Sequence, residues 1–167
     1  AGEEVARFLF KREERRIWFL DGTEEYGKAV WQGMQKIFSK KGCCLEEEQY
    51  LEIPKDMDLR RMFYKIRLAG LALSADMLVF ASAVQGAEAV GYLHDLEIKV
   101  PEEIEVIAVG KEETALICRP QLTTVEFDKK RLVRQAIEEL YVQIIKGYIL
   151  TKSGKISVKT IIRGSCN

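Results

Sequence analysis

The chain has 167 residues, of which 47% are hydrophobic and 31% are charged. These values suit one globular domain with a sizeable core and exclude a disordered chain. The 26 Lys and Arg residues balance the 26 Asp and Glu residues, so the chain lacks the basic excess of a free-standing nucleic-acid-binding protein.

The first half of the chain alternates short predicted strands with amphipathic helices. Apolar residues at steps of three and four predict helices, and short apolar runs predict strands. In chain order the segments are a helix at 3–11, a strand at 16–20, a helix at 26–40, a strand at 49–53 and a helix at 59–70. Gly42 is the predicted stop of the second helix, and Asp58 is the predicted N-cap of the third. The residues of the third helix expected to point inward are Met62, Phe63, Ile66 and Leu73.

The second half continues the alternation and ends in a long helix. Its segments are a strand at 76–81, a helix at 84–96, strands at 105–109 and 123–127, a helix at 128–146 and a strand at 156–162. Residues 76–81 are almost continuously apolar, as in a buried parallel strand. The expected inner side of the long helix consists of Leu132, Ile137, Leu140, Tyr141 and Ile144. The pattern predicts an α/β fold, a three-layer α/β/α arrangement with a mainly parallel sheet.

No segment has the spacing of a catalytic, metal or nucleotide site. His94 is the only histidine, and its neighbour Asp95 cannot face it on a helix. The four cysteines form no C-x-x-C pair, so we expect reduced structural thiols. Residues 86–91 contain glycines but do not match G-x-G-x-x-G. We therefore expect no enzyme, no metal and no cofactor.

The sequence also has no apolar run near the roughly 18 residues that a membrane span needs. The first residues do not have the pattern of a signal peptide. We expect a cytoplasmic protein that does not contact membranes.

Five segments carry motifs that belong together. They are RRIWFLDG at 15–22, WQGM at 31–34, ADMLVFA at 75–81, VPEEIEVIAVG at 100–110 and PQLTTVE at 120–126. In this order they resemble the sensor domain of LacI/GalR-type (lac repressor family) transcription regulators, over about residues 3–165. The resemblance implies a periplasmic-binding-protein-like fold, in which two α/β lobes joined by three crossovers enclose a ligand.

The resemblance also implies which part of such a sensor this chain supplies. Residues 1–167 correspond to its C-terminal part, with one complete lobe at about 15–122 and stray first-lobe helices at about 3–12 and 128–146. The helix-turn-helix headpiece and most of the first lobe would precede Ala1. The implied function is effector sensing and dimerisation, with DNA bound only through that headpiece. The alternatives are a periplasmic-type sugar-binding protein and a degenerate dimerisation scaffold that binds nothing.

Three polar positions that hold ligands in the family are changed here. The family's arginine in "RLxGF" is Val30, its Asn/Asp pair is Ser82 and Ala83, and its later aspartate is Gly110. A buried hydroxyl without a partner costs about 1–3 kcal/mol, so a classical sugar site is not expected. A less polar or anionic effector, a site that binds nothing and a sugar held by other residues all remain open. The candidate ligand contacts, on loops after strands, are Tyr26, Lys55, Ser82 and Lys111.

The resemblance further implies a homodimer. Lobes of this family pair through the helix that corresponds to 84–96 and the segment that corresponds to 114–118. The alternative is that these residues pack inside the lobe. The expected small-molecule effector is a sugar or sugar phosphate, with the two candidate lysines favouring an anion. The candidate interface residues are Ala87, Val90, Leu116 and Cys118.

Overall fold

The computed structural model describes residues 1–12, 16–23, 25–110, 113–147 and 157–166. A short 3₁₀ turn, Glu47–Gln49, precedes the second strand. The helices and strands are α1 (Gly2–Phe10), β1 (Ile17–Asp21), α2 (Glu25–Lys40), β2 (Tyr50–Glu52), α3 (Met57–Ser74), β3 (Met77–Phe80), α4 (Ala83–Asp95), β4 (Glu105–Val109), α5 (Thr114–Ile117), β5 (Thr123–Phe127), α6 (Lys129–Lys146) and β6 (Val158–Ile161).

The described strands form one sheet of six in the order β2-β1-β3-β4-β5-β6. Neighbours from β2 to β5 are parallel, and β6 is antiparallel to β5. Phe19, Val79 and Ile107 lie side by side across the three central strands. Every residue of β3 and β4 is buried, as continuous apolar strands must be when helices cover both faces. The predicted α/β fold with a mainly parallel sheet is confirmed.

Two hydrophobic cores lie on opposite faces of this sheet. On the first face α1 and α2 cover Phe19, whose ring lies 5.5 Å from that of Trp31 and 5.6 Å from that of Tyr50. On the second face α3 and α4 cover Leu78 and Phe80. Tyr64 of α3 is fully buried there and donates its hydroxyl proton to the Gln85 carbonyl at 3.3 Å.

Helix α1 belongs to the first of these cores. Its apolar residues Val5, Ala6, Phe8 and Leu9 are buried against the sheet. Gly2 lets the helix approach α2 closely, because a Cβ there would overlap the Val30 carbonyl. The expectation that residues 3–12 are a stray helix of another lobe is therefore wrong, since α1 is an integral part of this one.

Helix α3 begins two residues earlier than expected. The Asp56 carboxylate accepts hydrogen bonds from the amides of Asp58 and Leu59, at 3.0 and 2.9 Å. These are the contacts of an N-cap residue, so Asp56 and not Asp58 caps the helix.

The inward face of α3 also differs from the expected one. Tyr64, Leu68 and Leu71 are buried, whereas Met62, Ile66 and Leu73 are 56%, 68% and 85% exposed. Of the four residues expected to point inward, only Phe63 packs against the core, and it is partly buried. The helix has two apolar stripes, and periodicity alone does not say which of them faces the sheet.

Helix α6 extends away from the rest of the described chain. Asp128 caps its start by accepting from the Arg131 amide at 3.0 Å, and Gly147 ends it in the left-handed conformation. The helix makes no extensive contact with another described helix or strand. The residues expected on its inner side are all exposed, namely Leu132, Ile137, Leu140, Tyr141 and Ile144. No surface within the described residues covers them.

Candidate functional site

The winding of the sheet reverses between β1 and β3. From β1 the chain first adds β2 on one side and then β3 on the other. Loops after such adjacent strands diverge and leave a crevice at the carboxyl edge, where open α/β sheets bind ligands. Here the crevice is bordered by the loop that follows Asp21 and by the segment Ala81–Ala83.

Asp21 fixes the end of β1. Its carboxylate is buried and accepts from the Thr23 amide at 2.6 Å, the Thr23 hydroxyl at 2.7 Å and the Tyr50 hydroxyl at 2.5 Å. Burial, and then the bond to Asp21, raises the pKa of Tyr50, so its phenol stays protonated and donates. A Cβ on Gly27 would overlap this carboxylate. Asp21 therefore organises the loop and is not a free ligand contact.

Gln85 lies in the crevice itself, and sequence reasoning missed it. The side chain is buried in the first turn of α4, and its Oε1 accepts from the Gly22 amide at 3.3 Å. This bond joins the loops that follow β1 and β3. The available signal was a glutamine in the first turn of a helix that directly follows a buried strand.

The expected ligand residues that the structure describes do not all line one cavity. Lys55 lines a cavity of about 650 Å³ beside the ends of β1 and β2. Tyr26 is 42% exposed in the first turn of α2, and its burial raises the pKa of the phenol. Ser82 precedes α4, and its hydroxyl makes no capping hydrogen bond. Lys111 lies outside the described residues.

The cavity beside Lys55 carries charges of both signs. Its lining residues are Asp21, Gly22, Glu25, Lys28, Glu52, Ile53, Pro54 and Lys55. The Asp21 carboxylate is engaged by Thr23 and Tyr50, whereas Glu25 and Glu52 contribute acceptor groups to the lining and Lys28 and Lys55 contribute donor groups. Such a lining suits groups that both donate and accept hydrogen bonds.

Of the changed family positions, Val30, Ala83 and Gly110 present no polar side chain. Val30 is buried in the first core, and Ala83 is buried in the second. Gly110 has a φ of +112°, a conformation that side-chain-bearing residues rarely adopt. Among these positions only Ser82 offers a polar side chain to a ligand at this edge, so the other polar contacts must come from other residues.

The expected interface residues are only partly accessible. Val90 is 2% exposed and belongs to the second core, so it offers no free surface. Ala87 and Cys118 pack against that core, whereas Leu116 is 40% exposed. The Arg119 guanidinium donates to the carbonyls of residues 116–118 and holds the end of α5.

The cysteines should differ sharply in reactivity. Cys44 is exposed, whereas Cys166 is buried and its burial raises the thiol pKa to about 11. Because the thiolate is the nucleophile, brief alkylation at pH 8 should modify Cys44 and spare Cys166. Peptide mapping by mass spectrometry measures this, with urea-unfolded protein as the control in which both react. Equal labelling in the folded protein would contradict the described packing of Cys166.

Two negative findings apply to the described residues. Within them, no three His, Cys, Asp or Glu side chains converge as a metal site would require. None of the helices that the structure describes combines the length and apolarity needed to cross a bilayer.

The chain is similar to a known domain family and to solved structures of transcription regulators. A family model described as a periplasmic binding protein-like domain matches residues 6–166. The comparison with curated proteins gives no match. Similar solved structures include the transcriptional regulator CelR bound to cellobiose, at 20% identity and a TM-score of 0.82 over 98% of this chain and 50% of that one.

Two further solved structures show the same fold. A sugar-binding LacI-family regulator from Escherichia coli, complexed with phosphate, is 19% identical with a TM-score of 0.78, over 98% of this chain and 59% of that one. CcpA of Lactococcus lactis is 17% identical with a TM-score of 0.81, over 100% of this chain and 61% of that one. The chain thus spans about half to three-fifths of the length of these structures.

Proposed function

Because this chain belongs to the periplasmic binding protein-like domain family, we propose that it is an effector-sensing lobe of a LacI-type transcription regulator. The observation that carries the proposal is the switch point between β1 and β3, with a polar cavity at the same carboxyl edge beside the ends of β1 and β2. The effector would bind there, and DNA would be bound only by a separate headpiece. The lobe would act as a homodimer, as expected from the resemblance.

Helix α6 fits this role as a connection to a second lobe. It lies between β5 and β6, and its apolar side chains extend from the body of the lobe. A row of exposed apolar side chains along a whole helix is typical of a protein interface. We assign it to the first lobe of the same sensor, which it would cover together with the crossover strands.

The mixed lining of the cavity favours a hydroxyl-rich effector over a purely anionic one. A sugar hydroxyl can donate to Glu25 or Glu52 and accept from Lys28 or Lys55. A phosphate would meet both lysines but also both carboxylates, which repel it. The regulators bound to cellobiose and to phosphate provide the two ligand classes to compare. We therefore propose a neutral sugar-like effector held by residues other than the family's polar anchors.

Titration of the isotope-labelled chain with cellobiose, monosaccharides and sugar phosphates tests this proposal by NMR. One lobe supplies only part of a cleft, so we expect a dissociation constant on the order of 1 mM. The amides of Gly22, Thr23 and Lys55 should shift. Glu52→Gln and Lys55→Met should each weaken binding by about tenfold, the effect of one hydrogen bond to a charged group.

Matched controls lie in a cavity at the opposite, amino edge of the sheet. There Glu102→Gln and Lys99→Met make the same chemical changes in the lining and should leave binding unchanged. Tighter binding of sugar phosphates in Glu52→Gln would favour an anionic effector instead. Shifts that cluster at Lys99 and Glu102, or no shifts with any ligand, would contradict the proposed site.

A further inference from the structure

The side-chain amide of Gln85 has one end bonded and the other end free. The residue lies in the first turn of α4 and is 8% exposed. Because the Gly22 amide can only donate, its bond at 3.3 Å turns Oε1 toward Gly22 and fixes the orientation of the side-chain amide. Nε2 makes no hydrogen bond within the described residues, and it is not one of their fully enclosed atoms without a partner. Its protons are therefore free to bond a ligand in the crevice.

Gly22 provides the space in which this amide lies. A Cβ on Gly22 would come within 2.1 Å of Gln85 Nε2 and within 3.3 Å of the Ile53 carbonyl oxygen. Gly22 does not have a positive φ, which would by itself favour glycine. The close approach of Gln85 is thus the physical reason for a glycine at this position. Gly22 also lines the cavity beside Lys55, so the free amide group lies at the margin of the proposed effector site.

The start of α4 adds donors in the same turn. The first amides of a helix have no intrahelical acceptor, and the hydroxyl of Ser82, the N-cap residue, does not bond them. No acidic residue lies in this first turn, so the positive end of the helix dipole is not neutralised there. Backbone amides and Nε2 of Gln85 together form a group of hydrogen-bond donors at the carboxyl edge of the sheet.

A group of donors selects an oxygen that carries no proton. A hydroxyl has a proton of its own that needs an acceptor, whereas a carbonyl or carboxylate oxygen only accepts. A carboxylate is disfavoured here, because the buried Asp21 directly precedes Gly22 and because Glu25 and Glu52 line the adjoining cavity. Like charges brought together in this way oppose binding. The donors therefore suit a neutral carbonyl oxygen.

We infer that Gln85 and the start of α4 form a subsite for a neutral carbonyl oxygen of the effector, as in an acetamido group on a sugar. This inference rests on the proposed function and narrows the effector from a sugar-like compound to one with such a substituent. The sugar hydroxyls would contact the mixed lining beside Lys55. Gln85 is a specificity-determining contact in this arrangement, and it is not one of the changed family positions.

NMR titration of the isotope-labelled chain with glucose, N-acetylglucosamine and glucuronate tests the subsite, because the last two each differ from glucose at one carbon. N-acetylglucosamine should bind about tenfold tighter than glucose, the effect of one added hydrogen bond. The side-chain amide of Gln85 should shift with it. Gln85→Met keeps the size of the side chain but removes the donor, so it should abolish this preference and change glucose binding by less than about twofold. Gln32→Met makes the same change at an exposed position of α2 and should keep the preference.

Proton exchange in the ligand-free chain provides a second measurement. The side-chain amide protons of Gln85 should exchange with water faster than those of Gln49, whose Nε2 donates to the Ile17 carbonyl at 2.9 Å. Slower exchange at Gln85 would overturn this inference.

The titrations separate this inference from the proposed function. Equal affinity for glucose and N-acetylglucosamine, with shifts at Gly22 and Lys55, would overturn the subsite and leave the proposed function intact. The same holds if the preference survives in Gln85→Met. Tighter binding of glucuronate than of N-acetylglucosamine would overturn the assignment to a neutral oxygen. Binding of none of the three sugars would contradict both proposals.

Discussion

Replacing Gly27 by alanine should lower the free energy of unfolding by about 3 kcal/mol, although it adds one methyl group. A Cβ at Gly27 would overlap the Asp21 carboxylate. That carboxylate is held by Thr23 and Tyr50 through three short hydrogen bonds and is buried. It cannot move aside without breaking bonds that cost about 1–3 kcal/mol each when lost from a buried group.

Gly70→Ala is the matched control for this change. Gly70 also lies within a helix, but no atom lies within 4 Å of a Cβ placed there. The same substitution should therefore stabilise the chain by up to about 1 kcal/mol through helix propensity. Urea denaturation of both variants, at one protein concentration, measures the difference. An unchanged midpoint for Gly27→Ala would contradict the contact between α2 and the end of β1.

The secondary structure was largely predictable because its signals are local. The apolar runs of β3 and β4 and the stop residues Gly42 and Gly147 lie within single segments. The motifs then indicated the LacI-type resemblance, which the domain match and the solved structures support. The strand order needed long-range information that no single segment contains.

Helices α1 and α3 show what periodicity cannot decide. An amphipathic pattern says that a helix buries one face, but not which sheet covers it, so α1 was assigned to the wrong lobe. In α3 two apolar stripes compete. The stripe with Tyr64 faces the sheet, where its hydroxyl bonds to Gln85, and the more uniformly aliphatic stripe remains outside.

The sequence predicted at which edge of the sheet the candidate site should lie, but not which side chains contact one another there. Residues after parallel strands were expected at the carboxyl edge, and Lys55 does line a cavity there. The roles of Asp21 and Gln85 depend on partners distant in sequence, since Gly22 and Gln85 are 63 residues apart. Their functions follow from strand adjacency, which the sequence pattern did not specify.

Arg163 ties β6 to β5 through a buried polar network. Its guanidinium donates to the Leu122 carbonyl at 2.9 Å, the Thr124 hydroxyl at 2.6 Å and the Glu126 carboxylate at 2.9 Å. The side chains of Arg163 and Glu126 are 14% and 8% exposed. β5 leads into α6 and β6 follows it, so the network holds together the two strands that flank this helix.

Replacing Arg163 by methionine should destabilise the chain by about 3–5 kcal/mol, the cost of removing one partner from a buried ion pair. The Glu126 carboxylate would remain buried without the guanidinium that faces it. Adding Glu126→Gln should recover part of the loss, because the buried charge is then removed as well. Arg16→Met removes an arginine from a solvent-exposed pair with Asp76 and should leave the unfolding midpoint nearly unchanged. Urea denaturation followed by circular dichroism compares all four proteins. If Arg163→Met unfolds at the same midpoint as Arg16→Met, the network does not hold the crossover strands together.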